Sequence, residues 1–172
     1  MQIRKAKTMF AAAFKKHKYE GKYFYCYCTK SSHFSFVVEE ALKSEIHLET
    51  SYAYDIEIIK KLYAKKKITK DIHIICNGFK QKPYTRRIAN LLNAGFHNVI
   101  PVLDNKEELK DYATSVKVPF KLGIRVAAEE EPNYPFYTSR LGMRAKDILE
   151  FYVDRIEGYV SKFQLKMLHI FF

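Results

Sequence analysis

The chain has 172 residues, which suits one ordinary domain, and 48% of them are hydrophobic, which is enough for a buried core. Its 30 basic and 19 acidic residues give a formal net charge of +11, a balance that nucleic-acid-binding proteins can share. The lysine runs fall on the predicted polar faces and ends of separate helices, however, and not along one stripe. We therefore expect solvated helix surface and no nucleic-acid partner.

Cysteine usage and hydropathy predict a cytoplasmic protein. The three cysteines, Cys26, Cys28 and Cys76, are too few and odd in number for a disulfide framework. Cys26 and Cys28 lack further ligands at zinc spacing, so no metal site is predicted. No stretch is long and apolar enough to span a bilayer, and the N-terminus lacks the apolar core of a signal peptide. We expect a reduced protein without membrane contact.

Hydrophobic periodicity predicts alternating helices and strands. Strands are predicted at residues 23–30, 46–49, 72–76, 99–103, 121–126 and 165–172. Helices are predicted at residues 1–18, from 31 to about 42, from 51 to about 63, between Pro83 and Gly95, from about 105 to 116, and at 145–156, with a polar loop at 129–140. Expected helix caps are Ser31 or Ser32, Ser51, and Asp104 or Asn105.

The strand spacing of roughly 25 residues suits βα units on a parallel sheet. Both a (β/α)₈ barrel and an open doubly wound sheet satisfy this pattern, but no Gly-x-Gly-x-x-Gly follows the first strand, so a dinucleotide-binding fold gains no support. A barrel needs eight strands and about 250 residues. Six strands, and an apolar run at residues 168–172, predict a piece of a longer protein.

The first strand ends in a lysine. Side chains alternate along a strand, so Phe24, Cys26, Cys28 and Lys30 share one face, which is mostly small and apolar. A lysine that leaves a buried strand at its carboxyl end is expected to be partly desolvated, which favours a neutral amine able to form a Schiff base with a carbonyl. The competing interpretation is a surface lysine that caps the strand.

Further polar residues stand at the ends of the other strands. They are Glu49, Asn77, Asp104, Arg125, and His169 or Phe171. A parallel barrel carries its chemistry at the carboxyl ends of its strands. A Schiff-base lysine needs an acid to manage its proton, and an arginine can hold a phenolate or carboxylate. The alternatives are a structural ion pair between Glu49 and Arg125, and helix capping by Asp104.

Five segments, in order, resemble the fold-type III pyridoxal-phosphate decarboxylases, and within them the biosynthetic arginine decarboxylases. They are Tyr27-Cys28-Thr29-Lys30, Leu48-Glu49-Thr50-Ser51, Ile74-Ile75-Cys76-Asn77-Gly78-Phe79, Leu122-Gly123-Ile124-Arg125 and Arg140-Leu141-Gly142. This family has an alanine-racemase-like barrel followed by a β-domain. The resemblance implies an α/β fold: a partial (β/α)₈ TIM barrel with about six of eight βα units, truncated at its C-terminus. Residues 1–172 would form this incomplete cofactor-binding domain.

The resemblance also implies roles for five residues. Lys30 would hold pyridoxal phosphate through a Schiff base, and Glu49 would be the catalytic acid close to that linkage. Arg125 would lie near the cofactor ring. The position of the family's ring-stacking histidine corresponds to Phe171, while His169 lies two residues earlier on the same strand face. Both are predicted to bind the cofactor. Cys28-Thr29 and Tyr52 are further departures from the family pattern.

The implied reaction is the decarboxylation of arginine to agmatine in polyamine biosynthesis, with the 172-residue piece inactive alone. The resemblance admits magnesium as a further cofactor, and predicts a homo-oligomer because such sites are usually completed across a dimer. Alternatives are a decarboxylase for ornithine, lysine or diaminopimelate, a non-catalytic relative, which Phe171 favours, and a basic nucleic-acid-binding module.

Overall fold

The computed structural model describes residues 2–127 and 141–170. Within them, strands are β1 (Cys26–Cys28), β2 (His47–Thr50), β3 (Ile74–Cys76), β4 (Val99–Leu103), β5 (Phe120–Arg125) and β6 (Phe163–His169). Helices are α1 (Gln2–Lys16), α2 (Ser35–Leu42), α3 (Ala53–Ala64), α4 (Lys82–Asn93), α5 (Glu108–Ser115) and α6 (Ala145–Arg155), followed by one 3-10 turn at Glu157–Tyr159. None of these helices is long and apolar enough to cross a membrane.

The six strands form one parallel sheet in the order β1-β2-β3-β4-β5-β6. A doubly wound sheet reverses its strand order at a switch point, whereas a barrel adds each new strand on the same side. The unbroken order therefore selects the barrel of the two predicted architectures. The predicted fold class, α/β with six parallel strands of a partial barrel, is confirmed.

The two faces of the sheet have different surroundings. On the outer face, residues such as Leu48, Ile74 and Leu122 are fully buried against the helices and form the large hydrophobic core. On the inner face, Ile75, Ile100 and Val102 form a small apolar cluster. Because side chains alternate along each strand, every other residue is directed to the inside of the barrel, where the apolar cluster is small. The inner face therefore has room for polar groups.

The first strand is shorter than the sequence predicts. The strand itself begins at Cys26, although the His47 N–H of β2 still donates to the Tyr25 carbonyl at 2.8 Å. Before that point the chain packs on α1 instead, where the Tyr23 ring stacks on Phe10 at 4.1 Å between centroids. The predicted length of β1 is therefore wrong. The predicted loop at residues 129–140 and the last two residues of the sixth strand lie outside the described residues.

Two predicted serine caps are wrong. Neither Ser31 nor Ser32 caps α2: its N-cap residue is Phe34, and the Ser31 N–H donates to the Cys28 carbonyl in a turn after β1. Before α3, the Asp55 carboxylate accepts the Ser51 and Tyr52 N–H groups at 2.8 and 3.1 Å, so an acid within the helix caps it and not the serine hydroxyl.

The predicted boundaries of α4 are confirmed. Pro83 occupies its first turn, where a missing N–H costs nothing. Gly95 lies two residues after the last helical residue, Asn93, with φ +87°, a left-handed conformation that glycine adopts without strain.

Candidate functional site

Five polar side chains converge at the carboxyl ends of strands β2 to β6. They are Glu49, Asn77, Asp104, Arg125 and His169. The strand register pairs Glu49 with Ile75 and Arg125 with His169. Ile75 belongs to the inner cluster, so Glu49, its register partner on β2, is directed to the same inner face of the sheet. The polar residues therefore surround the mouth of the barrel.

Asn77 connects the side chains of β2 and β6 across this mouth. It is buried, and its Nδ2 donates to Glu49 Oε1 at 3.2 Å. The same Nδ2 lies 3.4 Å from His169 Nε2, although the two residues are 92 positions apart in the sequence. The sequence placed Asn77 at a strand end but assigned it no role. A strand-end amide is a weak signal, since it also suits a turn.

Asp104 forms an ion pair with Arg125. Arg125 Nη1 lies 3.9 Å from Asp104 Oδ1. Asp104 does not cap α5, because Asn105 Oδ1 accepts the Glu108 N–H at 3.1 Å instead. The predicted cap by Asp104 or Asn105 is wrong, because the N-cap residue of α5 is Glu107; Asn105 only accepts a hydrogen bond from the first residue of the helix. A structural ion pair between Glu49 and Arg125 is likewise absent from residues 2–127 and 141–170.

The mouth also contains buried acceptors that lack donors. Both carboxylate oxygens of Asp104 and the Oδ1 atom of Asn77 are buried without a hydrogen-bond partner among the described residues. Leaving such atoms unsatisfied costs free energy, so buried acceptors are normally paired. These atoms are suited to a ligand that brings N–H or O–H groups into the mouth.

Lys30 stands at the rim of the same mouth. It follows β1 by two residues, and the preceding Thr29 is fastened to the next strand: its N–H and its hydroxyl donate to the Glu49 carbonyl at 2.9 and 3.0 Å. The Lys30 side chain itself is exposed, so the predicted desolvation is wrong: Lys30 lies in the turn that follows β1, where the Ser31 N–H donates to the Cys28 carbonyl at 3.1 Å. Within residues 2–127 and 141–170, its amine forms no hydrogen bond or ion pair with Glu49, whose Oε1 accepts from Asn77 instead.

The structure therefore brings together Glu49, Arg125 and His169 of the predicted site residues. Lys30 lies at the rim of this group, and Phe171 is outside the described residues. Two members of the cluster, Asn77 and Asp104, were not predicted as site residues. Across residues 2–127 and 141–170, no three histidine, cysteine or carboxylate groups are arranged to hold a metal ion.

Burial dominates the electrostatics of the mouth. Burial lowers the pKa of His169, and Arg125 lowers it further, while Glu49 and Asp104 oppose this shift. Burial, assisted by the Glu49 carboxylate, raises the pKa of the Cys26 thiol to about 11. At neutral pH the histidine is therefore mainly neutral, able to donate or accept a hydrogen bond, and the thiol is protonated.

Replacing Glu49 is expected to move the His169 titration in a defined direction. Glu49→Gln removes a negative charge that raises the histidine pKa, so the pKa should fall further below the ordinary value of about 6.5. Arg125→Met should raise it. The measurement is a pH titration of the His169 imidazole by NMR, with Glu57→Gln, on the exposed face of α3, as the control. Opposite or absent shifts would contradict this assignment of charges.

The same depressed pKa has a consequence for stability. In the unfolded chain His169 takes up a proton below about pH 6.5, whereas the folded chain resists it. Below about pH 6.5 the unfolded state therefore binds more protons than the folded state. The stabilisation of the fold by neutral His169 is fully present above that pH. It is lost progressively as the pH falls from about 6.5 towards the lower pKa of the folded state.

Comparison with known proteins shows sequence similarity to one group of enzymes. No protein-family model matches the chain. A biosynthetic arginine decarboxylase of Shewanella piezotolerans is 34% identical over 125 residues, which cover 68% of this chain and 19% of that protein. The corresponding protein of Yersinia pestis is 26% identical over 176 residues, covering 98% of this chain and 26% of that protein. The chain thus spans about a fifth to a quarter of these relatives.

A solved structure shares the fold. A mutant diaminopimelate decarboxylase from Helicobacter pylori, complexed with L-lysine, matches with a TM-score of 0.63 and 19% identity, over 94% of this chain and 41% of that chain. This likeness concerns the fold, and it agrees with the partial barrel. Together with the sequence relatives, it confirms the resemblance that the five segments predicted.

Proposed function

We propose, on the premise that this chain is a relative of the biosynthetic arginine decarboxylases, that it forms the barrel of a pyridoxal-phosphate-dependent amino-acid decarboxylase. The observation that supports this proposal is the polar cluster of Glu49, Asn77, Asp104, Arg125 and His169 at the barrel mouth. This is the end of a parallel barrel at which enzymes carry their chemistry.

The residues of the mouth fit pyridoxal phosphate. The amine of Lys30 is exposed and so can reach an aldehyde, while buried acceptors of Asp104 and Asn77 have no donor among the described residues. Lys30 would hold the cofactor, Glu49 would manage the proton at the lysine amine, and Arg125 would lie near the ring. When bound, pyridoxal phosphate supplies an electron sink for the bond that loses carbon dioxide.

His169 has a separate role in this proposal. Its imidazole is half-buried and faces the mouth beside Asn77, so it would pack against the bound cofactor and limit the entry of water. Phe171 would provide an aromatic surface at the position of the family's stacking histidine. A phenyl ring can stack but cannot donate a hydrogen bond, so the electrostatic tuning of the cofactor would differ from that of the family.

We further propose arginine as the substrate and agmatine as the product, in polyamine biosynthesis. The support is that the sequence relatives carry the name biosynthetic arginine decarboxylase. Residues 1–172 would be the incomplete barrel domain of a longer, homo-oligomeric, cytoplasmic protein with a C-terminal β-domain. Magnesium stays a prediction from the resemblance. The second candidate is a decarboxylase for diaminopimelate, ornithine or lysine, which the fold likeness to a diaminopimelate decarboxylase favours.

The test is to identify the lysine that binds the cofactor. The natural protein that carries this sequence is incubated with pyridoxal phosphate, reduced with borohydride and mapped by peptide mass spectrometry. The expected label is on Lys30, with Lys43, another exposed lysine, unlabelled. A label on a different lysine would overturn the assignment. Carbon dioxide release from arginine, ornithine, lysine and diaminopimelate then separates the arginine decarboxylase from the second candidate function.

A further inference from the structure

A fully buried lysine lies behind the mouth, in the loop between β3 and α4. The side chain of Lys80 has no exposed area, and its Nζ donates to the Gly78 carbonyl at 2.9 Å. The same Nζ lies 3.3 Å from Oε2 of Glu108, whose side chain is 11% exposed. A buried ammonium is costly unless it is paired and hydrogen-bonded, and this one is both.

The carboxylate of Glu108 joins this lysine to the neighbouring strand. Its Oε2 atom also accepts the backbone N–H of Asp104 at 3.2 Å. Burial raises the pKa of Glu108, and the Lys80 ammonium opposes that shift. One carboxylate oxygen therefore holds both the loop after β3, through Lys80 and Gly78, and the residue that follows β4.

The two anchored positions are the ones that orient the cluster in the mouth. Gly78 has φ +84°, so the chain turns sharply directly after Asn77, whose amide contacts Glu49 and His169. Asp104 presents its carboxylate to Arg125. By contrast, the ion pair between Lys60 and Glu57 lies on the exposed face of α3, with side chains 46% and 42% exposed, and fastens no loop of the mouth.

We propose that Lys80 and Glu108 act as a positioning pair for the candidate site, holding the Gly78 carbonyl and the Asp104 amide so that the Asn77 amide and the Asp104 carboxylate keep their places. The inference deepens the proposed function, on which its ligand-binding readout rests. Neither residue is placed in contact with cofactor or substrate. Their effect is on where Asn77 and Asp104 lie.

A double variant separates positioning from simple support of the fold. Lys80→Met/Glu108→Met replaces the buried pair with apolar side chains of similar volume, a change that is far better tolerated than removal of one partner alone. We expect the variant to stay folded with a moderately lower unfolding temperature: no unpaired charge remains, but the Gly78 carbonyl and the Asp104 N–H lose these partners. The affinity for pyridoxal phosphate, measured by absorbance titration of the natural protein, should fall by about tenfold because the two anchoring hydrogen bonds are lost.

Two readouts do not depend on the cofactor. The Asp104 amide should exchange with solvent deuterium faster in the double variant, and the NMR titration of His169 should shift because Asn77 moves. The control is Lys60→Met/Glu57→Met, which removes a Lys–Glu ion pair from the surface of α3, together with the contact of Glu57 with Arg87. Neither readout should change in the control.

The outcomes are distinct. A double variant with parental affinity, exchange and titration would overturn the positioning role. If the parent fails to bind pyridoxal phosphate, the proposed function fails. The amide exchange of Asp104 and the titration of His169 still test the positioning role of Lys80 and Glu108. If the double variant does not fold, the test is made on the parent protein. Its Asp104 amide should exchange with solvent at least about tenfold more slowly than the amide of exposed Lys106. Equal exchange rates would overturn the proposal.

Discussion

Replacement of Lys30 by alanine is expected to lower the decarboxylation rate of the natural protein by about a thousandfold or more. The alanine side chain cannot form a covalent bond to the cofactor aldehyde, so the group that holds the cofactor is lost. Because the Lys30 side chain is exposed, the substitution should change the free energy of unfolding by less than about 0.5 kcal/mol. Steady-state kinetics and urea unfolding of both proteins provide the measurements.

The matched control for this experiment is Lys43→Ala. Lys43 is also exposed and follows α2, where its amine pairs with Glu40 at 2.7 Å on the surface. We expect unchanged kinetics in this variant. Added methylamine should restore part of the activity of Lys30→Ala, because it supplies an amine at the vacated position, and should not affect the control. An active Lys30→Ala variant would refute the proposed role of the lysine.

Replacement of Gly142 by alanine is expected to destabilise the fold by about 3 kcal/mol. Gly142 has φ +99°, a conformation that disfavours any residue with a Cβ atom. An added Cβ would lie 2.9 Å from the Ala127 nitrogen and 2.9 Å from the Arg125 carbonyl oxygen. Both are backbone atoms at the end of β5, which cannot move aside without distorting the strand.

The site should respond to the same change. The Met143 N–H donates to the Arg125 carbonyl at 2.8 Å, so a shift at Gly142 would displace the residue that pairs with Asp104. The control is Gly158→Ala, since an added Cβ there meets nothing within 4 Å. Urea unfolding measures both variants. Equal stability of the Gly142 variant and the parent would show that the close approach of these segments is not required.

Local signals in the sequence predicted the framework of the fold. The residues of β4 match the prediction completely, because a run of buried apolar residues can be recognised without knowledge of its neighbours. Pro83 and Gly95 mark the limits of α4 for the same reason: proline and glycine act on their own backbone. The alternation of strands and helices then predicts a parallel sheet, although it does not distinguish a barrel from a doubly wound sheet.

Features that depend on distant residues were predicted less well. β1 begins only at Cys26, after a segment whose Tyr23 ring stacks on Phe10 of α1, and no local pattern reveals that contact. The cap of α3 comes from Asp55 inside the helix, although a serine at its start is the more usual signal. In both cases a contact made in the folded chain outweighed the local preference.

The sequence by itself determined which residues stand at the strand ends, and thereby Lys30, Glu49, Arg125 and His169 as candidates. Only the tertiary structure decided their partners: Asn77 between Glu49 and His169, Asp104 beside Arg125, and Lys80 on Glu108. The physical reason is that strand position follows from local periodicity, whereas side-chain pairing depends on the register between strands and on loop conformation, which form only when the sheet is assembled.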